Sequence, residues 1–156
     1  MGKTRNIDSR ADYVLFRPLS TRWLDNDVYG HINNVHYYAF FDSVVNQYLV
    51  ESGVLDIHAG ETVAWVVSSG CDYHAALAWP QAIEAGLRVE QLGRSSVRYG
   101  IGIFAVGEAR AAAQGFFVHV FVERASGRTD AALHIDQRSG RGNPGPGMRR
   151  LLGRWM

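Results

Sequence analysis

From Val35 to about Glu51, apolar side chains fall at Val35, Tyr38, Phe41, Val45, Tyr48 and Leu49. That is the three-then-four rhythm of a helix with a buried stripe. It predicts four turns, about 25 Å of helix at the usual rise per residue. Asn33 or Asn34 is placed to cap its start and Gly53 to stop it. Beyond the helix the period changes to two. Residues 84–92 set Ala85, Leu87 and Val89 against Glu84, Arg88 and Glu90, and residues 95–106 repeat the pattern with Val97, Tyr99, Ile101 and Ile103. Residues 114–124 place Phe116, Val118, Val120 and Val122 on one face and Phe117, His119 and Phe121 on the other. With short turns at Gly93-Arg94 and Gly107-Glu108, these three segments predict an antiparallel meander. Residues 62–74, rich in Val, Trp and Tyr, read as another strand, and residues 12–18 as a short one, with Tyr13 and Leu15 against Val14 and Phe16. Pro80 falls between strands, where it costs no ladder bond.

One long helix and an antiparallel sheet imply an α+β layer with the sheet curled around the helix. A helix this apolar needs cover over most of its circumference. The second face of the last strand is apolar too, so a sheet face is expected to be buried by another copy, in a homodimer or homotetramer. Residues 1–125 form the expected domain and 126–156 a tail. The run Ser139-Gly140-Arg141-Gly142-Asn143-Pro144-Gly145-Pro146-Gly147 reads as a linker by composition, and 148–156 as one or two helical turns at most.

Composition narrows the class without naming it. The chain has 156 residues, 47% of them hydrophobic and 20% charged, which suits one globular domain with a real core. A net charge of +1 singles out no partner, and no Lys/Arg run suggests nucleic acid, although the tail is mildly basic. The one cysteine, Cys71, excludes an intrachain disulfide and is expected to be an inert buried thiol. The N-terminus lacks the apolar stretch of a signal peptide, and no apolar segment reaches about 18 residues. A cytoplasmic protein with no membrane partner is the expectation.

Chemistry concentrates in residues 25–39, Asp-Asn-Asp-Val-Tyr-Gly-His-Ile-Asn-Asn-Val-His-Tyr-Tyr-Ala. Two Asp, two His, three Asn and a Gly stand just before a helix whose first N–H groups have no partners of their own. This loop can bring a carboxylate, an imidazole and free backbone donors into one small volume.

The pattern Arg22-Trp23-x-Asp25-x-Asp27-x-x-Gly30-His31-x-Asn33-Asn34-x-x-Tyr37, leading into a long helix, resembles the hotdog-fold acyl-CoA thioesterases, in particular the 4-hydroxybenzoyl-CoA thioesterase-like set. The Gly-His-x-Asn-Asn-x-x-Tyr segment also resembles that of acyl-ACP thioesterases. Leu92-Gly93-Arg94-Ser95-Ser96-Val97 and Gly115-Phe116-Phe117-Val118-His119-Val120 resemble later parts of the same family, and the likeness covers about residues 12–125. It implies a hotdog fold and hydrolysis of an acyl-CoA or acyl carrier protein thioester, with no cofactor. Asp27 falls at the family's catalytic carboxylate and Gly30 at its tight loop turn. Asn34 falls at the helix start whose N–H polarises the carbonyl, His31 and Asn33 match the acyl-ACP-type motif, and Arg94, with Ser95 beside it, falls near positions that contact CoA phosphates. The family usually stops in a short helix after the last strand, whereas this chain continues into a Gly/Pro-rich tail.

Thioester cleavage needs donors for a developing oxyanion and an activated nucleophile. A helix N-terminus offers free N–H groups and partial positive charge, so the Asn34 and Val35 amides are the candidate donors. Asp27 is either the nucleophile or a general base on water, and His31 could orient water, bond the carbonyl or hold Asp27. Each residue has a plainer reading. Asp27 could cap a turn, Asp25 bond loop amides, Asn33 and Asn34 cap the helix, and Tyr37 sit in the core. His36 is expected to be packed or exposed. Ser68 and Ser69 could line an acyl pocket or only satisfy strand neighbours, and Trp65, Tyr73 and Trp79 could shape one. Asp27, His31 and His36 do not make a metal site, since two His five apart do not share a helix face. No Gly-x-Ser-x-Gly elbow or phosphate-binding Gly loop is present. Two rivals remain: a non-catalytic acyl-thioester binder, and a hotdog hydratase or dehydratase.

Overall fold

The computed structural model describes residues 6–129. The expected linker at 139–147 and the terminal turns at 148–156 lie outside them. The elements are β1 (Leu15–Leu19), α1 (Val35–Glu51), β2 (Thr62–Tyr73), β3 (Ile83–Leu92), β4 (Ser96–Ala105) and β5 (Ala113–Glu123), with 3₁₀ turns at Arg10–Asp12 and Trp23–Asp25. The strands form one antiparallel sheet in the order β1-β3-β4-β5-β2, with Leu15 opposite Leu87 and Leu19 opposite Ile83. One main helix and a five-stranded antiparallel sheet are the hotdog fold, and the meander read from the alternation is its β3-β4-β5 core.

The described residues divide into two compact units. The first takes the residues up to 44 with 70–88 and 100–115; the second takes 45–69, 89–99 and the residues from 116 onward. In the first, the rings of Tyr13, Phe16 and Phe104 meet edge to face at 5.6–6.3 Å. The Arg10 guanidinium caps the cluster, 4.9 Å from the Phe104 ring centre. Helix α1 meets the sheet at Gly115, where a Cβ would stand 2.6 Å from the Phe41 ring and 2.1 Å from the Gly70 carbonyl oxygen. Only a glycine lets the Phe41 ring lie against backbone there.

The buried arc of α1 differs in phase from the expected stripe. Phe41, Val45, Tyr48 and Leu49 are buried as read, but Val35 and Tyr38 are 64% and 39% exposed. Tyr37, Phe40 and Val44 take their place. Residues 37, 40, 41, 44, 45, 48 and 49 form an unbroken i, i+3, i+4, i+7 series, so one arc faces the core. Val35 and Tyr38 lie off that arc. Read from apolarity alone, they fit the rhythm nearly as well.

In the second unit Val97, Tyr99, Phe117 and Phe121 are buried together with His119. The His119 ring meets Tyr99 edge to face at 5.3 Å. Burial pushes the imidazole down from 6.5 to about 4. A histidine kept neutral in the fold contributes stability above its unfolded value that is lost as pH falls from 6.5 toward 4. The drop amounts to about 3 kcal/mol. His119→Phe should flatten the dependence of urea midpoint on pH across that window; an unchanged slope would show that another group carries it.

Strand β2 ends the sheet order and keeps Trp65, Val66 and Val67 exposed. Among the described residues no helix is long and apolar enough to cross a membrane.

Candidate active site

The polar loop before α1 is a small, tied hairpin. The Asp25 carbonyl accepts the Asn33 N–H at 2.8 Å, and the His31 carbonyl accepts the Asp27 N–H at 2.8 Å. Between these pairs Asn26 and Ile32 form an antiparallel bridge. At the tip Gly30 donates to the Asp27 carbonyl at 3.0 Å and takes φ +79°, the left-handed conformation that favours glycine. The Asp27 carboxylate accepts the Tyr29 N–H at 2.9 Å, an Asx turn that fixes the carboxylate itself. Two further ties hold the hairpin to residues 77–79: Ile32 donates to the Leu77 carbonyl, and the Asn26 amide exchanges bonds with the Trp79 backbone.

Asp25 is the hairpin's buried anchor, 4% exposed. Its carboxylate accepts the Arg22 N–H at 2.8 Å and the Arg22 guanidinium at 2.9 and 3.2 Å. Burial works against its charge, but the Arg22 hydrogen bonds outweigh it and hold the carboxyl below the ordinary value. His36 stands 3.8 Å from the same carboxylate, so it belongs to this anchor as a third member.

At the helix start the two expected donors separate. The Val35 N–H is taken by the Asn33 side chain at 3.1 Å, as befits a capping residue, and so is not free for a substrate. No described residue accepts from the Asn34 N–H. Asn34 lines a cavity of about 330 Å³ with Ile32, Tyr37, Tyr73, His74 and two alanines. The rings of Tyr37 and Tyr73 meet edge to face at 5.0 Å. Burial pushes the Tyr37 hydroxyl up to about 12 and the Cys71 thiol up to about 11, which keeps that thiol a poor nucleophile.

The hairpin thus gathers Asp27, Gly30, His31 and Asn33, and the cavity gathers Asn34 and Tyr37. Asp27 is half-buried and His31 exposed, and neither lines that cavity. Ser68 and Ser69 are exposed on β2 and Arg94 is exposed in the β3–β4 turn, all in the second unit. There the Ser95 carbonyl accepts the Phe121 N–H at 2.8 Å. Of the aromatics expected to shape a pocket, Tyr73 does so, while Trp65 is exposed on the sheet edge. The sequence reading missed His74 as a cavity residue. Its signal was a lone imidazole at a strand end, directly before two alanines. Among the described residues no group of three or more His, Cys, Asp or Glu converges as metal ligands do.

The thioesterase-like superfamily matches residues 21–139, from just before the hairpin through the last strand. The chain belongs to this superfamily. Among solved structures, the PA5185 protein of Pseudomonas aeruginosa is 58% identical over 80% of this chain and 87% of its own, with a TM-score of 0.78. A thioesterase of Thermus thermophilus complexed with coenzyme A and Zn is 24% identical, covering 91% and 95% of the two chains at a TM-score of 0.68. The DHNA-CoA thioesterase of Staphylococcus aureus, 16% identical, covers 80% and 83% at 0.67 and shares the fold. No curated protein matches the chain. Membership places this chain among the thioesterase-like proteins.

Proposed function

We propose that the chain hydrolyses acyl-CoA thioesters at the Asp27 hairpin. The observation that carries this reading is the tied hairpin itself. It fixes a carboxylate at its tip and runs straight into a helix whose Asn34 N–H is unclaimed beside a cavity. Asp27 either attacks the acyl carbon, giving a mixed anhydride that water then opens, or takes a proton from the attacking water. In both routes the C–S bond breaks, the acyl carbon gains the oxygen of one water, and the thiolate leaves to take a proton. The Asn34 amide at the positive end of the helix stabilises the oxyanion that forms on the way. His31, Asn33, Gly30 and Tyr37 shape this site. An acyl carrier protein thioester is a second substrate of the same chemistry.

The working form is a homodimer or homotetramer. An exposed edge strand carrying adjacent Trp65, Val66 and Val67 is an open template that natural proteins cover. Sedimentation equilibrium should return at least twice the 17.3 kDa chain mass, and a monomer at micromolar concentration would remove this part of the reading. A cytoplasmic setting suits a chain with one thiol.

Thiol release from acyl-CoA esters tests the activity, with crotonyl-CoA included. Loss of its conjugated-thioester absorbance without thiol release would make the protein a hydratase. Binding of CoA esters with no turnover would make it a carrier or scaffold.

A further inference from the structure

The cavity at the helix start holds a side chain that neither the hairpin nor the cap uses. His74 follows β2 directly, and its N–H donates to the Ala112 carbonyl at 2.7 Å, which fixes the backbone as it leaves the sheet. Its side of the chain lines the cavity with Asn34, Tyr37 and Tyr73, and also borders a second cavity of about 330 Å³ that includes Gln81 and Arg110. The ring nitrogen Nε2 is buried with no hydrogen-bond partner among the described residues. Nor does any described residue bond Nδ1, which is not among the buried unpartnered atoms and so keeps access to solvent space.

Native proteins leave few buried polar atoms unpaired, and an orphaned N–H is rarer than an orphaned acceptor. A neutral imidazole carries one N–H. Placed on Nε2 it would be a buried donor with nothing to bond; placed on Nδ1 it is an accessible donor waiting for an acceptor. We infer that His74 is a second hydrogen-bond donor of this site, its Nδ1–H and the Asn34 N–H sharing the carbonyl oxygen of a bound acyl thioester. The assignment rests on the thioesterase reading for the identity of the substrate. Two donors aimed at one developing oxyanion, in a cavity walled by Tyr37 and Tyr73, stabilise the transition state more than the ground state.

The test uses S-(2-oxopropyl)-CoA, a ketone whose carbonyl is set one methylene from sulfur so that it cannot release thiol, and reads its C=O infrared band bound to the full chain. The band should move to lower wavenumber on wild type, move less on His74→Leu, and recover on His74→Asn, whose amide N–H reaches the place of Nδ1. With hydrolysable esters, His74→Leu should lower kcat by about 10- to 100-fold with KM within about threefold, and His74→Asn should regain most of the loss. Should the Leu variant fail to fold by circular dichroism, His74→Gln replaces it, since its longer amide overshoots Nδ1 and must lose the shift that Asn keeps. The same band on wild type and variant, or no binding of the ketone, overturns the assignment. A His74-dependent shift in a protein that hydrolyses nothing would sink the hydrolase reading and leave the donor in place. Turnover with a band indifferent to His74 would do the reverse.

Discussion

Asp27→Asn should lower kcat by about 10³-fold, within the range for losing a general base or nucleophile. The fold and the oligomer should be unchanged. The substitution is clean for a structural reason. The carboxylate oxygen that accepts the Tyr29 N–H at 2.9 Å has a counterpart in the asparagine side-chain carbonyl. The Asx turn, the Gly30 turn and the Asp27–His31 backbone bond can therefore persist while the charge and basicity are lost. Circular dichroism and sedimentation of the variant should match wild type, and KM should stay within about threefold, because an interaction made only in the transition state leaves ground-state binding alone. A variant that keeps wild-type kcat would remove Asp27 from the chemistry and leave it as a turn cap.

Gly115→Ala should have the largest effect on stability. The added methyl would stand 2.1 Å from the Gly70 carbonyl oxygen and 2.6 Å from the Phe41 ring. The Phe41 ring is itself fully buried, with no room to swing away. The carbonyl is backbone and cannot move without shifting strand β2. Overpacking usually costs about 1–3 kcal/mol, and one clash against backbone together with one against a buried ring puts this site at or beyond about 3 kcal/mol. Urea unfolding should show a lower midpoint at unchanged slope. A midpoint equal to wild type would mean that the helix and sheet are more loosely seated at Phe41 than the geometry indicates.

The elements were legible because their periods are pure. Strands β3, β4 and β5 alternate with little interruption, and the helix ends where Asn33 and Gly53 said it would. The phase of the helix was less legible. Val35 and Tyr38 are as apolar as Tyr37 and Phe40, so hydrophobicity alone could not tell which neighbours the core would cover. The loop's importance was plain from its composition, but its shape was not, because the hairpin is built from backbone bonds such as Asp25–Asn33 that no residue type announces. The same limit hid the fate of the Val35 amide, claimed by a side chain two residues back, and the role of Asp25, whose burial depends on Arg22 folding over it. His74 was not legible as a cavity residue because its one local mark, a lone imidazole at a strand end, does not say what it faces. Its meeting with Asn34 and Tyr37 is made by the chain returning from β2, at a separation of about forty residues.

Thioester hydrolysis at the hairpin is tested by thiol release from short, long and aromatic acyl-CoAs by the purified chain, with Asp27→Asn alongside. Release from at least one ester is expected, and it should disappear in the variant. A folded protein that frees no thiol from any CoA ester, or one whose release is the same with and without the Asp27 carboxylate, would contradict hydrolysis at the hairpin.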